Sequence, residues 1–359
     1  MLLDVAREFC RDQSPIASVR AQLDSEAGYD PEVWRQMAEL GWCGIALPES
    51  CGGAGLGVSG VVPVVEAMGR AMLGTPLINS TLAGQLLLRA GGAQAMEGAL
   101  AEIAAGAPAT VALLEDDDWG SRGFHCTLGA DLCLQGVKQY VGDAAVAQLF
   151  LVPASRDGET VIALVRRDQL GPAAIAAHTL VDETKRAARV DFSGVQVTAD
   201  AVLAGDKVAV ALRDFRLLGA LLVAAEAAGS AAACLDLTVE YLKTRVQFGK
   251  LIGSYQALKH PAVDILCAVD SSRSFVYHAA TLVGDGPLDR DAEIACRMAK
   301  AQAGDTLAFA GDRAVQFHGG MGFTYECDAQ LYIRRAQWSR QQFGDARHQR
   351  KRLAALLLD

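Results

Sequence analysis

From residue 211 to residue 316 the chain carries three long helical patterns, roughly 211–244, 254–283 and 289–316, and each stops at glycine. Their Leu, Ala and Val faces need partners, and a helix bundle is the simplest arrangement that buries them all. The breaks fall at Phe248-Gly249, Gly284-Asp-Gly-Pro287 and Gly319-Gly320. Two breaks belong to richer segments, Arg245-Val-Gln-Phe-Gly249 and Gln316-Phe-His-Gly-Gly-Met-Gly322. A dinucleotide pyrophosphate needs a cation in bidentate reach and glycines that let backbone N–H groups come close. Arg245 supplies the first, Gly319, Gly320 and Gly322 the second, and Gln256 and Gln316 add amides able to donate and accept. Either segment alone fits a plain helix ending equally well.

Upstream, the periodicity changes twice. Residues 1–106 read as helical, with Asp30 as a cap before Pro31–Leu40 and a glycine-rich exit at Leu47–Gly57. Residues 107–208 shift toward a period of two, as in Thr127–Leu134, Gln148–Val152, Thr160–Val165 and Ala188–Val197. Residues 209–359 return to helices. The expected architecture is α+β: an N-terminal helical domain, a small sandwich- or barrel-like β domain, and a C-terminal helix bundle.

Charge and cysteine usage exclude several function classes. With 359 residues and 51% hydrophobic content the chain can bury a large core. Its net charge of -9 argues against nucleic acid or an anionic membrane surface as partner. The apolar stretch near 217–235 is flanked or interrupted by Arg216, Glu226 and Asp236, which marks a buried core helix rather than a membrane span. The N-terminus lacks the basic start and apolar run of a signal peptide, so a cytoplasmic location is expected. Nine cysteines with no C-x-x-C pair read as reduced core thiols, and no metal site is expected.

In this order, these three regions resemble the acyl-CoA dehydrogenase family over nearly the whole chain. Trp34 through Gly57 looks like that family's N-terminal Trp…Gly-Trp…Pro-Glu…Gly-Gly-x-Gly passage. Arg245–Gly249 with Gln256 is similar to its first FAD segment, and Gln316–Gly322 followed by Tyr332-Ile-Arg-Arg335 to its second. The resemblance implies a four-helix-bundle C-terminal domain and FAD at a subunit interface. Arg245, Phe248, Gln256, Gln316, Gly319 and Gly320 would contact its pyrophosphate and adenosine side, and Tyr140 would cover the ring. It also implies α,β-dehydrogenation of an acyl-CoA thioester. A carboxylate takes the α proton, a hydride leaves the β carbon for the flavin, and electron-transfer flavoprotein or a similar acceptor reoxidises it.

The chain departs from the family where the proton is taken. Phe343-Gly344-Asp345 stands over the usual Glu-Gly-Thr, so a phenylalanine holds the base position. The family's alternative base position, on the first long helix, falls at Gly219 or Ala220. Glu226, two turns further along among Val and Ala, is the acidic candidate, as a base or as a buried structural carboxylate. Gly142 lacks the hydroxyl expected near the flavin, and Asp116-Asp117-Asp118 reads as a solvated turn. Gly219 itself would ease helix packing or leave room for a bulky acyl group. Two functions follow: an FAD-linked acyl-CoA dehydrogenase using an unusual base, or a non-catalytic partner subunit that completes the FAD site of a paralogous chain, as in bacterial hetero-oligomers of this family. Either would be a homo- or hetero-oligomer.

Overall fold

The structure, a computed structural model, describes residues 2–358 except 93, 95 and 122. Six helices come first: α1 (Leu2–Gln13), α2 (Ile16–Ala21), α3 (Pro31–Glu39), α4 (Gly57–Arg70), α5 (Leu77–Gly91) and α6 (Glu97–Ala104). Helix α3 begins as its sequence dictates. The Asp30 carboxylate accepts the Glu32 backbone N–H at 2.9 Å, and Pro31 occupies the first turn, where no N–H is needed.

Ten strands follow: β1 (Ala109–Val111), β2 (Thr127–Leu128), β3 (Cys133–Gln135), β4 (Val137–Gly142), β5 (Leu149–Arg156), β6 (Glu159–Arg166), β7 (Ile175–Ala177), β8 (Ala187–Asp191), β9 (Val195–Gln196) and β10 (Val202–Leu203). One sheet runs β10-β6-β5-β2-β3-β9, with β1 parallel to β5, and a second runs β4-β8-β7. Leu149 to Ala154 of β5 is buried on both faces, which is why it reads as a continuous apolar run rather than an alternation. Leu134, Phe150, Val152, Val190 and Phe192 form a core of their own between the sheets.

The remainder is α7 (Lys207–Thr244), a hairpin of β11 (Val246–Gln247) and β12 (Lys250–Leu251), then α8 (Gln256–Leu282), α9 (Arg290–His318), α10 (Ala329–Gln341) and α11 (Ala346–Leu358). The three long helices therefore lie within a few residues of where their periodicity puts them. Helix α7 is long and apolar enough to cross a membrane, but its most apolar window lies buried inside the protein. It is the central helix and has no solvent face over 217–231, hence no amphipathic stripe.

The N-terminal helices and the bundle share one continuous core, although the β region separates them in sequence. Their seam is the crossing of α4 on α7. A Cβ at Gly69 would overlap the Glu226 carbonyl oxygen, one at Gly229 would overlap the Glu66 carbonyl oxygen, and Ser230 Oγ donates to Gly69 O at 2.8 Å. Backbone meets backbone here, so neither side can yield by changing a rotamer. Gly229→Ala is expected to cost about 1–3 kcal/mol. Gly98→Ala, in α6 with nothing within 4 Å of the added carbon, should be stabilising by about 0.5–1 kcal/mol. Urea unfolding midpoints at constant slope compare the two.

Candidate functional site

The β region faces the bundle across a cleft, where three cavities meet at Trp119 and two of them are also lined by Phe343. Phe343 opens the turn between α10 and α11 with φ 56°, a left-handed conformation that a bulky side chain adopts only when its surroundings compel it. Its ring lies 4.4 Å from that of Trp119 and 5.7 Å from that of Phe215, centroid to centroid. It also covers Gly219 so closely that a Cβ there would overlap Cε1 and Cζ. Gly219 thus leaves no open room; Phe343 fills it. The two base positions implied by the resemblance are one place in space, and an aromatic ring occupies it.

The first cavity is a slot of about 320 Å³ between the β region and α10, lined by Tyr140, Trp119, Trp338, Leu180, Gln341 and Gln342 among others. Tyr140 sits at a bulge in β4 with φ 49°, stacked on His178 at 4.6 Å. Asp117 beside it holds its phenol above the ordinary value, with burial adding to the shift. Within the acidic turn, Asp116 and Asp118 accept the Asp118 and Gly120 backbone N–H groups. Gly142 is a glycine because Asn79 takes the space: a Cβ would overlap Asn79 Nδ2, which donates instead to Asp143 Oδ2 at 2.6 Å.

The second cavity is small, about 80 Å³, and lies behind Phe343. Its inner wall is polar: Asn79, Asp143, Lys185, Arg186 and Glu226. Burial pushes the Asp143 carboxyl above its usual range, against the Asn79 donor and nearby Lys185 that favour the charged form. Glu226 lines this cavity from α7, but its apolar sequence neighbours do not describe its surroundings. Lys185 Nζ is 2.5 Å from Glu226 Oε1, and Arg335 Nη1 is 3.3 Å from the same oxygen. Arg335 is fully buried, donates through Nε to Asp182 Oδ2 at 2.5 Å, and bonds Thr184 Oγ1. Burial opposes the Arg335 charge, yet Asp182 and Glu226 outweigh it and hold the guanidinium above its ordinary value. Glu226 is therefore an anchored member of a buried ion network, supplied by the β7–β8 loop and α10.

The third cavity, about 410 Å³, lies on the other side of Phe343 between α7, α9, α11 and residues 119–121. Arg213, Arg216, Arg297, His348 and Arg352 line it. Three members of the stretch 347–352, His348, Gln349 and Arg352, line this cavity. Asp345, which could have been a free turn carboxylate, accepts the His348 backbone N–H at 2.7 Å at the start of α11.

The two glycine segments lie away from this cleft at the far end of the bundle. Arg245, Gln256, Gln316, Gly319 and Gly320 are exposed, and Phe248 is 89% exposed at the tip of the β11–β12 hairpin with φ 53°. Val246, Met321, Phe323 and Tyr325 are exposed too. His318 is buried, with Nδ1 2.7 Å from Ala314 O and its ring stacked on Tyr241, so it is a packed residue of α9. Arg334 pairs with Glu183 at 3.0 Å, and Arg335 belongs to the network above. Cys267, expected in the core, is exposed. No group of metal-binding residues exists among the described residues.

These residues suit a flavin dinucleotide in two separate parts. The aromatic slot beside Tyr140 has the volume and the π faces for a tricyclic ring, with Gln341 and Gln342 amides at its edge. The exposed arginine, glutamines and glycines suit the phosphate and adenosine part, but on an open surface.

Comparison with known proteins agrees along the whole length. Residues 1–107 match the acyl-CoA dehydrogenase N-terminal domain and residues 209–358 the acyl-CoA dehydrogenase C-terminal domain. The acyl-CoA dehydrogenase IpdE2 of Mycolicibacterium smegmatis is 34% identical over 339 residues, which cover 94% of this chain and 92% of that protein. The ChsE4–ChsE5 complex of Mycobacterium tuberculosis superposes with a TM-score of 0.86 at 26% identity, covering 100% of this chain and 96% of that one. A variant of the Tcur3481–Tcur3483 steroid acyl-CoA dehydrogenase gives 0.85 at 26% identity, covering 99% and 96%.

Proposed function

Because the chain belongs to the acyl-CoA dehydrogenase family, whose cofactor is FAD, we propose that it is the subunit of a two-chain dehydrogenase that completes FAD binding while a paralogous chain takes the substrate proton. The observation that carries this reading is the Phe343 ring lying over Gly219. Neither position offers a carboxylate, and the Phe343 ring leaves no room between them for a reacting carbon. Bound FAD supplies the hydride acceptor for an acyl-CoA thioester. Arg245, Gln256, Gln316 and the Gly319–Gly320 backbone bind its phosphate and adenosine side at the interface, beneath the partner chain. Phe248 and the apolar residues around it supply that interface with area that water otherwise covers. Tyr140, Trp119 and Trp338 form this chain's own aromatic slot. The ChsE4–ChsE5 and Tcur3481–Tcur3483 pairs support an assembly of two different chains, the latter described as a steroid acyl-CoA dehydrogenase. Electron-transfer flavoprotein or a similar protein is the acceptor.

A second reading keeps Glu226 as base, because it does line the inner cavity. The two cations on its Oε1 favour an anchoring role instead. The test is co-expression with the neighbouring paralogue. In that assembly Glu226→Gln should leave turnover within about twofold, whereas loss of a true general base costs about 10²–10⁴-fold. Arg245→Ala should lower the flavin content of the same assembly. A lone chain that is yellow and bleaches anaerobically with acyl-CoA would overturn the subunit reading.

A further inference from the structure

The turn that carries Phe343 is gripped from α9 by buried polar side chains that the proposed chemistry does not use. Phe343 and Gly344 both take left-handed φ values, 56° and 90°, and a phenylalanine stays there only where its surroundings over-determine it. Gln349, 1% exposed in the first turn of α11, donates through Nε2 to the Phe343 carbonyl at 2.7 Å. Its amide is oriented in turn. Arg297 Nη1 donates to Gln349 Oε1 at 2.9 Å, and Glu293 Oε1 accepts from the same guanidinium at 2.7 Å, one turn back on α9. Lys300 is 2% exposed and donates to the Ser339 and Arg340 carbonyls at the end of α10, at 3.0 and 3.3 Å. Burial draws its ammonium down to about 7, so an amine at this position is costly unless carbonyls accept from it. Glu293, Arg297 and Lys300 stand at i, i+4 and i+7, on one face of α9.

Resting on the subunit reading above, we infer that Gln349, set by Arg297, and Lys300 are positioning residues that fasten the Phe343 ring across Gly219, making it a fixed plug rather than a gate that swings aside for an acyl-CoA. Lys300 fixes where α10 stops, and Gln349 fixes the carbonyl that sets the backbone direction at Phe343. The ring then has one place to go, between Trp119, Phe215 and Gly219. A Cβ at Gly219 would lie 2.3 Å from Cε1 and Cζ, the far end of a side chain that yields easily where its backbone is free. The cost of a methyl group at 219 therefore reads how firmly the turn is held. With a mobile ring, Gly219→Ala inside α7 gains stability, as alanine does over glycine in a helix. With a fastened ring it loses stability.

The experiment is urea unfolding of the full-length chain, without flavin, with and without Gly219→Ala in the parent, in Gln349→Glu and in Lys300→Met. An ionised glutamate has the size of glutamine and keeps an acceptor for Arg297, but it has no N–H for the Phe343 carbonyl. A role confined to the Arg297 contact is thus preserved and only the fastening is lost. In the parent, Gly219→Ala should lower the midpoint. In Gln349→Glu that loss should fall by more than about half or turn into a gain, as expected of sites coupled through one backbone shift. Lys300→Met should change it in the same direction, and an excess of butyryl-CoA should leave the parent's loss as it is. An equal loss in the Gln349→Glu background, a gain in the parent itself, or a parent loss that shrinks by more than about half in butyryl-CoA overturns the fixed plug. Should Gln349→Glu not fold, the Lys300→Met pair decides by the same criterion. The cycle needs neither FAD nor turnover, so its failure leaves the subunit reading intact, because positions 343 and 219 still lack a carboxylate. Bleaching of the lone chain by acyl-CoA overturns that reading whatever the cycle gives.

Discussion

Replacing Arg335 by alanine should cost about 3–5 kcal/mol of folding stability, the range for removing one partner of a buried ion pair. The side chain is fully buried: Nε and Nη2 bond the Asp182 carboxylate and the Thr184 hydroxyl, and Nη1 lies 3.3 Å from Glu226 Oε1 as an ion pair without a hydrogen bond. Without it Asp182 stays buried with only the Thr184 groups as donors, and Glu226 keeps only Lys185. Arg335→Lys should not rescue, since one ammonium cannot bond Asp182 and Thr184 as the planar fork does and also keep a charge beside Glu226. Because Asp182 and Lys185 lie in the β7–β8 loop and Glu226 in α7, the loss should also show locally. Amide exchange over residues 179–186 should quicken before global unfolding. A urea midpoint shift worth less than about 1 kcal/mol would remove the network from the account of what joins the β region to the bundle.

Arg335 also marks the boundary of what the sequence makes legible. Patterns that act locally are visible in one stretch of chain: the long helices, the glycine stops and the Asp30 cap. The surroundings of Glu226 are not local. Its helix neighbours are alanine and valine, but the cations that hold it arrive from positions 185 and 335. The same limit hid the arginine cavity, which draws on α7, α9, α11 and a loop, so Arg216 reads in sequence only as a charge beside an apolar run. Phe343 reads in sequence as standing over the base position that the resemblance implies. That its ring fills the space above Gly219, making two vacant base positions a single plugged one, needed the crossing of α7 by the α10–α11 turn.

That plug gives the other large effect. Gly219→Glu alone should destabilise by about 3 kcal/mol or more, because its Cβ overlaps the Phe343 ring. Phe343→Gly removes the ring and relieves a left-handed φ of 56°, at the cost of the packing against Trp119 and Phe215. Combined, the two should be better than the sum of their separate losses by about 1–3 kcal/mol, the size of coupling expected for residues in direct contact. Thermal or urea unfolding of the four proteins in the cycle measures this. Simple addition of the losses would mean that the ring is not what excludes a side chain at 219. The double variant also puts a carboxylate where the family can place its base and opens the way from the arginine cavity to the aromatic slot. Reconstituted with FAD, it should bleach with acyl-CoA at least about 10²-fold faster than the parent chain, the lower end of what a positioned general base contributes. Equal bleaching by the parent would show that a proton acceptor was present all along, and Phe343 would then be a wall of a working site rather than the reason this chain needs another.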